Sequence, residues 1–131
     1  LHFAGRLMPG GTLPRRETEL VILRVAHLRQ SDYERLQHER IGRRAGLDDA
    51  NLKLVAEGPD ADGWSERERA LLTAVDELHR TQDLSDETWT RLRGLLDDRR
   101  LIELVLLVAH YEMLATVIHT LRIQPEARAG A

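Results

Sequence analysis

"ELVILRVAHL", residues 19–28, is followed after Arg29-Gln30 by "SDYERLQH", residues 31–38, and this pair of segments decides the fold class. The first is apolar on most sides after Leu20, as a central, buried helix must be. The second opens on Ser31-Asp32-Tyr33-Glu34. That is the S-x-x-E form of a capping box, with Ser31 as N-cap and Glu34 closing it from three residues on. The pattern predicts a helix over about 14–29, with Pro14 in its first turn, and a second from Ser31 to about Ala45, stopped by Gly46.

Working outward, the same punctuation recurs. Gly10-Gly11 ends a short first element. Asp48 can cap a short helix that ends near Gly58-Pro59. "GPDADG", 58–63, reads as a loop. Ser65 with Glu68 forms another capping box, for a helix to about Arg80. Ser85 caps the next, to about Leu96, and a last helix runs from Asp97 or Asp98 to about Ile123, before Pro125. Strand alternation and hairpin turn pairs are absent. The expectation is an all-α bundle of about seven helices in one domain over 1–131, with a 1–12 N-terminal segment and a 125–131 tail. "ELVILRVAH" (19–27) and "ELVLLVAH" (103–110) resemble one another but fall one residue out of phase, weak grounds for duplication.

Composition narrows the function classes. With 42% apolar and 31% charged residues the chain is globular. Its net charge of −3 gives no electrostatic case for nucleic acid or an anionic membrane. There is no cysteine, which removes disulfides, thiolate–metal sites and thiol redox catalysis. The segment "LHFAGRLMPGG" lacks the apolar run of a secretory signal, and the opening leucine suggests that the true N-terminus is missing. The apolar stretch 101–121 carries Glu103, His110, Glu112 and His119, which suits a buried helix better than a membrane span. A cytoplasmic location is expected.

The chemistry-bearing residues gather in the opening stretch. Glu34 and His38 are four apart and share a helix face, which continues through Ile41, Gly42 and Ala45. A carboxylate within reach of an imidazole raises its pKa and fixes its tautomer, a combination suited to general acid–base work. Glu34 serving only the capping box and His38 lying half-buried on the surface explain the same pair. Glu19 heads the apolar helix, either as a buried carboxylate of raised pKa or as a first-turn glutamate facing the helix dipole beside Arg15 or Arg16. If the two helices pack antiparallel, Glu19 returns toward His38 and the three form one proton-transfer cluster. No ligand set at metal spacing appears, and no cofactor is expected.

Taken together, "RE.EL.ILRVA", "YE...H", "AGL", "W...E.ALL.A.DELH", "D.TW..L" and "Y.ML" make residues 10–125 resemble a carboxymuconolactone decarboxylase-like protein of the AhpD-like superfamily. The resemblance implies an all-helical fold that forms homo-oligomers, commonly trimers or hexamers. In the alkylhydroperoxidase branch, a glutamate precedes a C-x-x-C pair and a histidine. Here Glu19 and His38 match the glutamate and histidine, while Ser31 and Glu34 stand where the cysteines would be. Thiol-based peroxide reduction is therefore excluded. The decarboxylase branch implies a cofactor-free lyase or isomerase acting on a small carboxylated, lactone-like compound. Glu19, Glu34 and His38 would then be catalytic. Tyr33 or Tyr111 would donate a hydrogen bond, and an arginine, Arg24 or else Arg44, would hold a carboxylate. The rival from another class is a non-catalytic ligand-binding or structural oligomer of the same fold. A helix-turn-helix reading of "IGRRAGLDDANLKLV" is disfavoured because Asp48-Asp49 would meet phosphates at the head of the recognition helix.

Overall fold

A computed structural model describes residues 11–124 of the chain. The short element expected to end at Gly10-Gly11 and the tail after residue 124 lie outside the described residues. Among the described residues six helices follow one another: α1 Arg15–Leu28, α2 Asp32–Arg44, α3 Asp49–Glu57, α4 Glu66–Thr81, α5 Asp86–Arg93 and α6 Asp98–Thr120. No strand occurs among the described residues.

The apolar run of α1 makes it the hub. Every residue from 17 to 26 is buried, including the charged Glu17, Glu19 and Arg24. One side of α1 (Val21, Ile22, Val25) packs with Leu71 and Val75 of α4, Leu92 of α5, and Leu104 and Val108 of α6. The other side (Leu20, Leu23) packs with Leu47, Val55, Trp64 and Leu72. Burying a leucine such as Leu20 or Leu104, each 0% exposed, contributes roughly 2 kcal/mol. By length and composition α6 could cross a bilayer. In the fold it is a core helix instead, with Leu101, Leu104, Leu107, Val108 and Tyr111 turned inward.

Between α1 and α2 the chain reverses through Gln30, whose φ of 52° is left-handed. The Ser31 N–H then bonds back to the Ala26 carbonyl at 2.9 Å, and α2 returns antiparallel along α1. Gly42 permits the close approach: a Cβ there would lie 3.1 Å from Leu47 Cδ1 and 3.4 Å from Leu23 Cδ1. The small residue expected on that face therefore sits against α1.

The capping signals hold at four helix starts. Asp48 accepts from the Asn51 N–H, Ser65 from the Glu68 N–H, Ser85 from the Thr88 N–H and Asp97 from the Arg100 N–H. At α2 the expectation needs correction. Ser31 occupies the N-cap position, but its side chain caps nothing. Its ψ of 92° differs from the 163° of Ser65 and 157° of Ser85, both of which do cap.

Candidate functional site

The antiparallel return of α2 brings together residues far apart in sequence. His38 Nδ1 lies 2.9 and 3.1 Å from the two carboxylate oxygens of Glu19. On the other side of the ring, His38 Nε2 is 3.3 Å from Glu34 Oε2. All three are buried: Glu19 is 0% exposed, His38 4% and Glu34 7%. Glu34 is thus drawn away from the helix start to face the imidazole, so the simple capping-box reading of this residue fails. The surface reading of His38 fails too.

Electrostatics follows from this geometry. Burial alone would pull the His38 pKa down, but the hydrogen bonds and charges of Glu19 and Glu34 outweigh it and raise it to about 9. Near neutral pH the ring is therefore an imidazolium with an N–H aimed at each carboxylate. Tyr111 closes the cluster from α6, its ring edge-on to His38 with centroids 5.4 Å apart. Burial, reinforced by the charges of Glu34 and Glu19, pushes the Tyr111 hydroxyl well above its usual range, so it stays protonated. His110 stands edge-on to Tyr111 at 5.3 Å, and burial lowers its pKa.

Two of the other expected site residues do not join the cluster. Arg24 is spent on structure. Its Nε and Nη2 bond Asp76 at 2.8 and 2.9 Å, and its Nη1 bonds the carbonyls of Val55 and Ala56 at 2.8 and 3.2 Å. A guanidinium so occupied fastens α1 to α3 and α4 and has no free edge for a substrate carboxylate. Arg44, the alternative, is exposed at the last residue of α2. Tyr33 is half-buried in the first turn of α2, and its hydroxyl has no hydrogen bond among the described residues. Arg16, considered as a neighbour for Glu19, pairs with Glu68 at 3.0 Å instead.

Arg15, which the sequence places beside Glu19, is not among the expected site residues. It lies one helical turn before Glu19, is exposed, and has no ion pair among the described residues. Its charge reaches Tyr111, opposing the rise in that group's pKa. The only advance signal was its i, i+4 spacing to Glu19. A second polar cluster was also missed. Glu112 is 2.7 Å from His79 Nδ1 and 3.1 Å from Arg29 Nε. It borders a cavity of about 310 Å³ lined by Leu78, Gln82, Val105, Val108 and Ala109.

The fold has solved counterparts. A protein of unknown function from Agrobacterium tumefaciens, ascribed provisionally to AhpD-type antioxidant defence, superposes with a TM-score of 0.86 at 20% identity, over 97% of this chain and 88% of that one. An uncharacterised peroxidase-related protein from Silicibacter sp. TM1040 gives a TM-score of 0.86 at 17% identity, over 96% of this chain and 68% of that one. The architecture is therefore an AhpD-like helical bundle. No curated protein matches the sequence. The family model described as the carboxymuconolactone decarboxylase family matches residues 1–77, a span that holds Glu19, Glu34 and His38.

Proposed function

This chain belongs to the carboxymuconolactone decarboxylase family, and from that premise we propose that it is an acid–base lyase or isomerase, working without a cofactor on a small carboxylated, lactone-like compound. One observation carries the reading: the buried Glu19–His38–Glu34 chain, in which an imidazole is held between two carboxylates at 2.9 and 3.3 Å. Paired carboxylates around a histidine supply a proton donor and acceptor in one dry site. The superfamily's peroxide chemistry has no thiol to use here, because the sequence contains no cysteine.

In this proposal the three groups divide the work. Glu19, wholly enclosed, orients the ring and keeps it charged. Glu34 and the Nε2 edge of His38 meet the substrate. In a decarboxylation the carbon–carbon bond to the carboxylate breaks and carbon dioxide leaves. The electron pair passes into the conjugated carbonyl, and the Nε2 proton is delivered to carbon. In an isomerisation Glu34 removes the proton and the imidazolium returns one. Arg15, at the head of the same helix face, takes the anchoring role first assigned to Arg24.

The test is a turnover screen of carboxylated lactones, read as carbon dioxide release or double-bond migration. His38→Ala and Glu34→Gln are expected to lower the rate about 100-fold or more. Absence of turnover and binding in the unmodified protein across the screen would defeat the proposal. The second reading, a non-catalytic oligomer, draws on exposed Ile102, Leu106, Met113 and Val117 along α6. Self-association is compatible with either function.

A further inference from the structure

Four serine or aspartate caps among the described residues are made in the ordinary way, but Ser31 gives its cap up. Its backbone is satisfied: the N–H bonds Ala26 at 2.9 Å and the carbonyl accepts from Arg35 at 3.0 Å. Its hydroxyl is enclosed, with the residue 2% exposed, and has no hydrogen-bond partner among the described residues. The contrast with Ser65 is direct. There Oγ accepts from the Glu68 N–H at 3.1 Å and Glu68 reaches back to the Ser65 N–H at 3.1 Å. At α2 both halves of the same arrangement are broken. Ser31 has turned from the helix, and Glu34 has gone to His38.

An unpaired buried hydroxyl and a forfeited cap both destabilise the free protein. Such features persist where a binding partner completes them. Ser31, Glu34 and His38 follow spacings of three and four residues, so they lie along one face of α2. The Nδ1 edge of His38 is committed to Glu19 at 2.9 Å, and its Nε2 edge, 3.3 Å from Glu34, is the one that handles the proton. The Ser31 O–H is an uncommitted donor one turn away.

We propose that the Ser31 hydroxyl is a substrate-binding group that donates a hydrogen bond to a carboxylate or lactone oxygen and so sets the ligand against Glu34 and His38. This rests on the acid–base reading of the cluster and adds its ligand-fixing contact. It assigns the position to binding, and not to nucleophilic attack. No base is required beside the hydroxyl, and no bond to it forms or breaks.

The experiment compares unmodified protein, Ser31→Ala and Ser65→Ala. Urea unfolding is measured without ligand, and a γ-butyrolactone carboxylate is titrated by calorimetry. Ser65→Ala, a true cap removal, should lower the urea midpoint. Ser31→Ala should leave the midpoint unchanged or raise it, and should weaken binding about tenfold or more. A midpoint lowered as far as in Ser65→Ala would mean that Ser31 serves the fold alone, and the proposal falls. Binding by Ser31→Ala within about twofold of the unmodified protein would also overturn it, while leaving the acid–base cluster standing. Failure of the unmodified protein to bind this probe would overturn the Ser31 proposal, while the acid–base reading falls only if the wider screen also shows neither turnover nor binding.

Discussion

Glu19 holds His38 through Nδ1 at 2.9 and 3.1 Å, across a helix reversal and with the carboxylate wholly enclosed. A buried carboxylate that faces an imidazole in this way makes the ring's charge part of the fold's stability. His38 is raised from an ordinary value of 6.5 to about 9, so the folded state binds more protons than the unfolded state between those values. The stabilisation is complete below about pH 6.5 and is lost as pH rises through about 9. Its size is on the order of 3 kcal/mol. Urea midpoints taken from pH 6 to pH 10 should fall over that window, and the fall should flatten in His38→Gln. A profile with the same slope in both proteins would contradict the assignment.

Glu19→Gln keeps the shape and removes the charge. Burial, the largest influence on His38, then acts against Glu34 alone, and the ring's pKa must drop from about 9. Histidine resonances followed by NMR should show the displaced titration. Stability should fall by about 3 kcal/mol at neutral pH, since a buried imidazolium loses its closest partner. Turnover, if Glu19 only orients the ring, should fall less than in His38→Ala.

Arg24 yields a stability prediction in place of a binding one. Its guanidinium is 2.8 Å from Asp76, and Gly58 sits close beneath it: a Cβ there would lie 2.7 Å from Nη2. Asp76→Ala strands the buried charge and should cost about 3 kcal/mol or more. Gly58→Ala meets the guanidinium and must also hold a φ of 93° with a side chain, so it should destabilise by about 2 kcal/mol. Thermal unfolding checks both. A soluble Arg24→Ala protein of unchanged stability with lost ligand binding would restore the substrate role.

The reach of sequence reasoning here follows the range of the interactions. Caps at Asp48, Ser65, Ser85 and Asp97 are decided within four residues, so they were legible. The centrality of α1 was legible too, since consecutive apolar residues have nowhere to face but inward. The Glu19–His38 pairing needed only one assumption, an antiparallel return over a short turn. The Glu34–His38 contact was legible from its four-residue spacing, but the Ser31 cap was misread, because the capping box there loses Glu34 to His38, which Glu19 holds from the neighbouring helix. Arg24 was misjudged for the same reason: its partner Asp76 is 52 residues away, and no local pattern links them.

The exposed side of α6 leads to the last prediction, that the protein self-associates. Ile102 is 59% exposed, Leu106 40%, Met113 53% and Val117 41%. Their spacings of four, seven and four residues place them on one stripe of the helix, away from the inward row of Leu104, Leu107, Val108 and Tyr111. Single exposed apolar residues are ordinary on a monomer, but a stripe running much of the length of a 23-residue helix is not. A second copy could bury it along the same stripe of its own α6, which a two-fold axis would allow. Light scattering at micromolar concentration should give a mass at least twice the 15.0 kDa of the chain. Met113→Glu combined with Leu106→Glu should shift the mass toward the monomer, because burying two carboxylates in an apolar interface costs more than the contact returns. The helix should remain folded in that variant, since neither residue faces the core, and circular dichroism would confirm it. A monomeric unmodified protein would refute the prediction and leave the stripe to be explained by another partner.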